Sequence, residues 1–273
     1  AYDFKSNGGA TGRAFMNDIQ NYSAFTPYML SHGNHEASYT YAHSTEFFRS
    51  QPSAGTVKTD ASSRSPNNWW FSFNYGLVHF VTISSEVYFA HQLLVPKMYA
   101  WLKADLEVAN SNRSAAPWIV VHAHRPTYCS CDSDCDAGAY PLRDGIAGLY
   151  GMEKVFYDYG VDLFIAGHEH NYERMYDVAP RFNLLQPWLS GNTTQTTVDM
   201  PATTHSVTGA SGNNENHEHF QRDAPSRTAL RRDEYGYNRM FIYNASHLRW
   251  QFIVTDGIRS PPQYDIVGDD VWL

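Results

Sequence analysis

The stretch VDLFIAGHEHNYERMYDV, residues 161–178, joins a short apolar run directly to a polar segment that carries two histidines. The run 161–166 has the length and composition of a buried strand, and Gly167 follows it. His168 and His170 come next, one residue apart. In open α/β sheets, ligands bind beyond the carboxyl ends of the strands. The stretch therefore predicts a buried strand whose carboxyl end carries a ligand site.

Two other apolar runs end in polar residues of the same kind. The segment APWIVVHAH predicts a buried strand that ends at His124, and PYMLSHGNHE predicts a short strand that runs into a loop at Asn34. Neutral imidazoles together with an amide oxygen are suited to binding a metal ion. We therefore expect these strand ends to meet at one metal site. We also expect the glycines before Asn34 and His168 to let the backbone turn sharply, so that both side chains face a shared pocket.

Residues beside these histidines have competing explanations. His122 lies on the same strand face as His124, two positions earlier, and a hydrogen-bonded structural role explains it most simply. Arg125 is either a phosphate contact or the partner in a structural salt bridge. The segment NNENHEH, residues 213–219, is either a loop that contacts substrate or a solvated loop.

Patterns elsewhere in the chain favour an α/β fold, in which helices alternate with strands. Helical periodicity predicts helices over residues 9–22, 95–110 and 145–160. Strand-like segments predict two strands over residues 69–85 that turn at 74–76, and a hairpin over 238–257 that turns near Ala245 and Ser246. Residues 50–68 and 210–234 are rich in Ser, Asn, Pro and charge, and this composition predicts long surface loops.

The length and composition are those of a globular protein with one large domain or two small ones. The 273 residues are 42% hydrophobic and 15% aromatic, which is ample for a packed core. The formal net charge of -8 opposes a general attraction to nucleic acid, so an anionic substrate needs local positive charge such as a metal ion. No apolar run approaches the roughly 20 residues of a membrane span. We therefore predict neither a nucleic-acid partner nor a membrane span.

Glycosylation sequons and clustered cysteines both indicate the secretory pathway. Asn-X-Ser/Thr sequons begin at Asn21, Asn112, Asn192 and Asn244. Disulfides persist in the same oxidising compartments, and the 3 cysteines of the chain crowd into residues 129–135. These features together predict a glycoprotein that is secreted, extracellular or lumenal.

The cysteine cluster CSCDSDC leaves one thiol over. A disulfide from Cys129 to Cys135, closing a short loop, is the preferred pairing. It leaves Cys131 either free or paired with a residue outside this sequence. A zinc knuckle is the competing hypothesis, but it would need a fourth ligand.

The polar strand ends also carry a family resemblance. GNHE, VHAHRP and GHEHNYER resemble the third, fourth and fifth signatures of the purple acid phosphatases, a branch of the calcineurin-like metallophosphoesterases. The segments EYGYNRM, TGASGNNE and DDVW are similar to those of animal-type members. The resemblance implies an α/β fold, the αββα sandwich, in which two mixed sheets pack together, helices lie outside and metal ions bind at one edge. It extends over essentially the whole chain, so we expect residues 1–273 to be the carboxy-terminal portion of one catalytic domain.

The resemblance also assigns roles to individual residues. Tyr2 and His170 would hold a first, ferric ion, Fe(3+). Asn34, His124 and His168 would hold a second, divalent ion, which in the family is Zn(2+), Fe(2+) or Mn(2+). These assignments predict a dinuclear metal centre.

Two further residues take their expected roles from the third signature. His35 resembles the histidine that faces the phosphate and assists the leaving group, so it is the candidate catalytic residue. Glu36 either orients His35 or is a solvated loop carboxylate. Arg125 remains a second candidate for binding substrate.

The sequence departs from the family pattern at its beginning. It starts inside the second signature, so two aspartate ligands that the family places there and before it are not present. The favoured explanation is an upstream segment or a companion fragment that supplies these aspartates. A relative that has lost catalysis is the alternative, although it would have little chemical reason to keep the other ligands together.

The function implied by the resemblance is that of a secreted dinuclear-metal acid phosphatase. Such an enzyme hydrolyses phosphomonoesters by attack of a metal-bound hydroxide. The alternative is a non-catalytic glycoprotein that retains the phosphatase scaffold for structural assembly or binding. A phosphodiesterase or nucleotidase on the same scaffold would differ only in loops whose specificity the sequence does not reveal.

Overall fold

The structure, a computed structural model, describes residues 6–37, 69–131, 135, 139–178, 202–213, 215–220, 223–255 and 265–273. The helices in these residues are α1 (Ser6–Ser23), α2 (Asn34–Ala37), α3 (Val87–Ala90), α4 (Val95–Ser111), α5 (Pro141–Asp144) and α6 (Met152–Asp158). The strands are β1 (Phe71–Tyr75), β2 (Val78–Thr82), β3 (Trp118–Ala123), β4 (Leu163–Ala166), β5 (Tyr172–Val178), β6 (Thr203–Thr208), β7 (Thr228–Arg232), β8 (Gly236–Asn244), β9 (His247–Val254) and β10 (Ile266–Trp272).

The described strands form two sheets. A 7-stranded sheet has the order β1-β2-β3-β4-β6-β5-β7, in which β2, β3, β4 and β6 run parallel and the outer pairs are antiparallel. A 3-stranded sheet has the order β10-β9-β8 and is antiparallel over the residues described. The predicted α/β class is therefore confirmed, with one large mixed sheet and a smaller antiparallel one.

Strand β3 shows how the layers pack, because its alternate side chains face two different cores. Trp118 and Val120 join a cluster that contains residues of β9 and β10, so this face packs against the smaller sheet. Ile119 and Val121 join a second cluster with side chains of α4 and α6. A strand that is buried on both faces needs apolar residues at nearly every position, which explains the unbroken apolar run in the sequence.

The hairpins and the long helices agree with the sequence predictions. Helices α1 and α4 cover the first two predicted helical segments. The β1–β2 hairpin turns through Gly76, whose φ of 57° lies in the left-handed region that glycine adopts without strain. The β8–β9 hairpin turns through Ala245 and Ser246, between the paired residues Asn244 and His247.

The helix predicted over residues 145–160 is shorter than expected. Helix α6 begins only at Met152, because the preceding residues form a tight loop. Ile146 and Leu149 pair across this loop, and Gly145 has a φ of 85°. A Cβ atom at residue 145 would collide with the carbonyl of Leu149, so only glycine fits there.

Two other sequence predictions are wrong in part, and a third lies outside the described residues. Residues 27–33 form no strand and pair with none of the described strands. Residues 210–234 are not only loop, because they contain β7 at the edge of the large sheet. The loop predicted over residues 50–68 lies outside the described residues.

A buried ion pair connects the two sheets. Asp269 of β10 accepts hydrogen bonds from Arg174 Nε at 2.6 Å and from Arg174 NH2 at 3.1 Å. It also accepts a hydrogen bond from the Tyr172 hydroxyl at 2.7 Å. The Tyr172 hydroxyl oxygen in turn accepts a hydrogen bond from Trp250 Nε1 at 3.1 Å. Tyr172 and Arg174 lie in β5, directly after the polar segment that carries His168, so the pair anchors that strand to the smaller sheet.

Three of the four predicted glycosylation sites lie in the described residues. The side chains of Asn21, Asn112 and Asn244 are exposed, whereas Asn192 lies outside the described residues. No helix in the described part of the chain is long and apolar enough to cross a bilayer.

Candidate metal centre

Three of the predicted ligands meet at the carboxyl edge of the large sheet. Asn34 is the first residue of α2, His124 follows β3, and His168 lies in the loop after β4. His124 Nε2 is 2.8 Å from Asn34 Oδ1 and 3.1 Å from His168 Nδ1. Because β3 and β4 are parallel neighbours paired as far as Ala123 and Ala166, the residues that follow them are brought together.

Burial keeps both imidazoles in the state that a metal ligand requires. Burial lowers the pKa of His124 well below its ordinary value, and the positive charges of His168 and Arg125 act in the same direction. Burial also lowers the pKa of His168 to about 4, with a further contribution from Arg125. Both rings are therefore neutral at physiological pH, and a neutral imidazole offers a lone pair to a metal ion.

The positions of the donor atoms suit a divalent ion. Ligand atoms about 2.1 Å from a metal ion, at right angles to one another, are about 3.0 Å apart. The separations of 2.8 and 3.1 Å around His124 Nε2 bracket this value. Two imidazole nitrogens and one amide oxygen form a donor set that zinc, iron and manganese accept. The residues present therefore fit the second metal position.

Gly33 makes room for the His124 ring. A Cβ atom at residue 33 would lie 2.7 Å from His124 Cε1 and 2.8 Å from both ring nitrogens. Neither Gly33 nor Gly167 has a left-handed backbone. The expectation that these glycines permit a sharp turn is therefore wrong. The left-handed residue is His168 itself, with a φ of 69°.

The Gly33→Ala substitution is expected to weaken zinc binding by about 10- to 100-fold, the usual cost of disturbing groups that orient a metal ligand. The added methyl group would push the His124 ring away from Asn34 and His168. Isothermal titration of Zn(2+) into the metal-free protein measures the effect. The matched control is Gly167→Ala, whose Cβ atom would meet only His124 O at 3.8 Å and Gly209 Cα at 4.0 Å. Equal affinities in the two variants would contradict this role for Gly33.

Arg125 is held by residues that the sequence did not single out. Its Nε donates to Glu86 Oε1 at 2.9 Å, and its backbone N–H donates to Ser85 Oγ at 3.0 Å. The guanidinium lies over the Phe89 ring, 4.4 Å from the centroid, and NH1 lies 2.9 Å from His168 Nε2. Glu86 is buried, and burial raises its pKa, which the Arg125 charge partly offsets. Arg125 therefore makes a structural salt bridge and also lies at the metal centre.

The residues around Asn34 also lie at the centre. His35 and His170 are near enough for their charges to oppose protonation of His168. Glu36 Oε2 accepts the backbone N–H of Gly33 at 2.8 Å, a bond that holds the turn into α2. The predicted ligand Tyr2 lies outside the described residues.

Two histidines close to the candidate centre, His32 and His122, have hydrogen-bond partners within the fold. His122 Nε2 is 2.6 Å from Thr82 Oγ1, as a structural role for His122 predicts. His32 Nε2 is 2.8 Å from Ser84 Oγ, and burial lowers the pKa of His32 to about 4. The sequence prediction overlooked His32, although its position two residues before Asn34 in a predicted strand was a usable signal.

Comparison with known proteins decides the family. The model for "Calcineurin-like phosphoesterase" matches residues 3–172. The chain belongs to the calcineurin-like phosphoesterase family. A second model, "Iron/zinc purple acid phosphatase-like protein C", matches residues 202–259 of the chain. The resemblance to the purple acid phosphatases that the strand-end signatures indicated is therefore confirmed.

Individual relatives of the chain carry related names. It is 34% identical to "Acid phosphatase type 7" of Homo sapiens over 100% of this chain and 58% of the relative. It is 27% identical to "Phosphoenolpyruvate phosphatase" of Allium cepa over 98% of this chain and 53% of the relative. The chain thus spans little more than half the length of these curated relatives.

A solved structure confirms the fold of the chain. The purple acid phosphatase from yellow lupin (Lupinus luteus) seeds matches it with a TM-score of 0.70 and 20% identity. The match covers 98% of this chain and 44% of that one. At this level of identity the likeness concerns the fold alone.

The cysteine cluster lies beside the candidate metal centre. Cys129 and Cys135 form a disulfide, with 5.8 Å between their Cα atoms, which confirms the preferred pairing. The thiol of Cys131 is buried and lies 2.9 Å from Glu169 Oε2. Glu169 is the residue between His168 and His170, so the disulfide loop packs against the turn that carries both histidines. A zinc knuckle made of the three thiols is excluded by the disulfide.

Proposed function

We propose that this protein is an acid phosphatase with two metal ions, which hydrolyses phosphomonoesters. The observation that carries the proposal is the meeting of Asn34 Oδ1, His124 Nε2 and His168 Nδ1 at one sheet edge, with both imidazoles held neutral. Membership of the calcineurin-like phosphoesterase family and the names of the relatives support the choice of phosphoesters as substrates.

Each metal position has its own proposed ligands. Tyr2 and His170 hold a ferric ion at the first position. Asn34, His124 and His168 hold a divalent ion at the second position, which is zinc, iron or manganese. When bound, such a pair stabilises negative charge on phosphate oxygens and lowers the pKa of water to the neutral range.

Arg125 is proposed to bind the phosphate group. A metal ion on Nδ1 of His168 leaves the ring proton on Nε2, and a guanidinium has only donors to offer. The 2.9 Å contact between Arg125 NH1 and His168 Nε2 is then repulsive, so NH1 becomes available to a phosphate oxygen. Glu86 still holds Arg125 through Nε, which limits how far the guanidinium moves.

His35 is proposed to donate the proton that the departing alcohol requires. It follows Asn34 directly in α2 and is partly exposed, so its ring can reach both solvent and substrate. General acid catalysis of this kind contributes about 10²- to 10⁴-fold to a rate.

The proposal places the protein in the secretory pathway, as a glycoprotein. Exposed sequon asparagines at Asn21, Asn112 and Asn244 and the Cys129–Cys135 disulfide support this location. Oxidising conditions maintain such a bond, whereas cytosolic thiols remain reduced.

Metal analysis of the native protein, together with its visible spectrum, tests the proposed function. We expect about two metal ions per chain, one of them iron, and an absorption band from a tyrosinate bound to ferric iron. The control is the same protein after dialysis against a chelator, which should be colourless and inactive. The proposal would be contradicted if native protein purified without chelators holds no stoichiometric metal. That result would favour a binding or structural role.

A further inference from the structure

The backbone at His170 is held by a distant segment of the chain. His170 N donates to Glu218 Oε2 at 3.2 Å, and His170 O accepts from Glu218 N at 3.4 Å. His217 Nδ1 donates to the same carbonyl at 3.2 Å. Both backbone groups of His170 therefore bond to residues 217–218, which lie almost fifty positions later in the sequence.

These bonds replace the strand pairing that His170 lacks. Strand β4 ends at Ala166 and β5 begins at Tyr172, so His170 lies in the turn between them. Backbone groups in a partly buried turn need partners, because an unpaired one loses its bond to water without compensation. Asn171, which is buried, adds a bond from its Nδ2 to Glu218 O at 3.1 Å.

The segment that carries Glu218 approaches the turn that carries His170 through a close backbone contact. Gly209, directly after β6, lies so near the Glu169 carbonyl that a Cβ atom there would collide with it. The chain leaving β6 therefore passes over the turn before it reaches Glu218. The His217 ring packs on the Tyr235 ring, with centroids 3.8 Å apart, and this contact fixes the segment from its other side.

The Glu218 carboxylate has a second neighbour in the disulfide loop. The Cys131 thiol lies 3.8 Å from Glu218 Oε2, so this oxygen faces both the disulfide loop and the His170 N–H. The segment NNENHEH thus contacts the turn that carries the histidines and is not a solvated loop throughout.

We propose that His217 and Glu218 are positioning residues for His170, and that they set the affinity of the first metal position. The inference rests on the proposed function, in which His170 binds the ferric ion. Groups that hold a metal ligand in place are worth about 10- to 100-fold in metal affinity. A segment that merely stabilised the fold would affect both metal positions equally.

Selective loss of iron is the test. Glu218→Ala in the holoprotein is expected to lower iron affinity about 10- to 100-fold, with the second metal retained and the melting temperature of the metal-free form nearly unchanged. Glu218→Gln keeps an oxygen that accepts the His170 N–H, so it should retain most of the iron. Glu215→Ala, at an exposed glutamate of the same segment, is the matched control. Iron and the second metal are measured per chain, and the tyrosinate band is recorded.

The outcomes separate this inference from the proposed function. Iron retained in Glu218→Ala at the wild-type level overturns the positioning role, and so does an equal loss of both metals with a lower melting temperature. A wild-type protein without iron overturns the proposed function and the inference with it. Hydrogen exchange on the metal-free protein is a second measurement, since Glu218→Ala should expose the amide of His170 and Glu215→Ala should not.

Discussion

The His124→Ala variant is expected to lose the second metal ion and at least about 10³-fold in kcat/KM toward a phosphomonoester. A metal ion acting as a Lewis acid supplies several kcal/mol of stabilisation to the transition state, and about 4 kcal/mol corresponds to that factor. His124 is the residue through which the three donors meet, since its Nε2 lies within 3.1 Å of both Asn34 Oδ1 and His168 Nδ1. Removing it therefore leaves the other two donors without a common neighbour.

Zinc titration and steady-state kinetics on p-nitrophenyl phosphate measure this effect. His122→Gln is the matched control, because it lies on the same strand and its partner is Thr82. A glutamine can keep a hydrogen bond to the Thr82 hydroxyl, so this variant should bind zinc like the wild type. If the His124→Ala protein keeps both its zinc affinity and its activity, His124 is not a metal ligand. Loss of zinc in both variants would indicate a folding defect and not a lost ligand.

Replacing Asp269 with alanine is expected to lower the free energy of unfolding by about 3–5 kcal/mol. The carboxylate accepts two bonds from Arg174 and one from Tyr172, with side-chain exposures of only 9% for Arg174 and 4% for Asp269. Its removal leaves a buried guanidinium without its counter-charge, and this cost exceeds the net value of the intact pair. Urea unfolding of the metal-free protein measures the change without a contribution from metal binding.

The neighbouring residue provides the control for this prediction. Asp270 pairs with Arg249 at 2.5 Å, but the two side chains are 35% and 32% exposed. Pairs at the surface contribute about 0–1 kcal/mol, so Asp270→Ala should unfold nearly as the wild type does. Similar losses in the two variants would mean that burial does not set the strength of the Asp269 pair.

Local patterns were sufficient for the strands and for part of the centre. The apolar runs that became β3 and β4 are unbroken because both faces of each strand are covered, and each run ends at a histidine. Parallel neighbours bring such ends to the same edge, so His124 and His168 were expected to meet. The Cys129–Cys135 pairing was also expected, because a short loop constrains which thiols can reach one another.

Local patterns failed where the backbone takes an unusual conformation or lacks a partner. The helix predicted from residue 145 onward is shortened by the non-glycine residues Ala147 and Tyr150, which have φ values of 52° and 69°. Gly145 and Gly148, which also have positive φ, were a usable signal, but the residue types of Ala147 and Tyr150 give none. Residues 27–33 have strand-like composition but pair with none of the described strands.

The sequence by itself determined the α/β class and the strand ends that carry His124 and His168, and it favoured the observed disulfide, because these depend on residue types close together in the chain. Only the tertiary structure decided which distant groups support them. The pairs Arg174 with Asp269 and His170 with Glu218 are 95 and 48 residues apart, and the contact of Arg125 with His168 spans 43. Contacts across such separations form only after the sheets have packed, since their cost in chain entropy is met by the buried core and not by local preference.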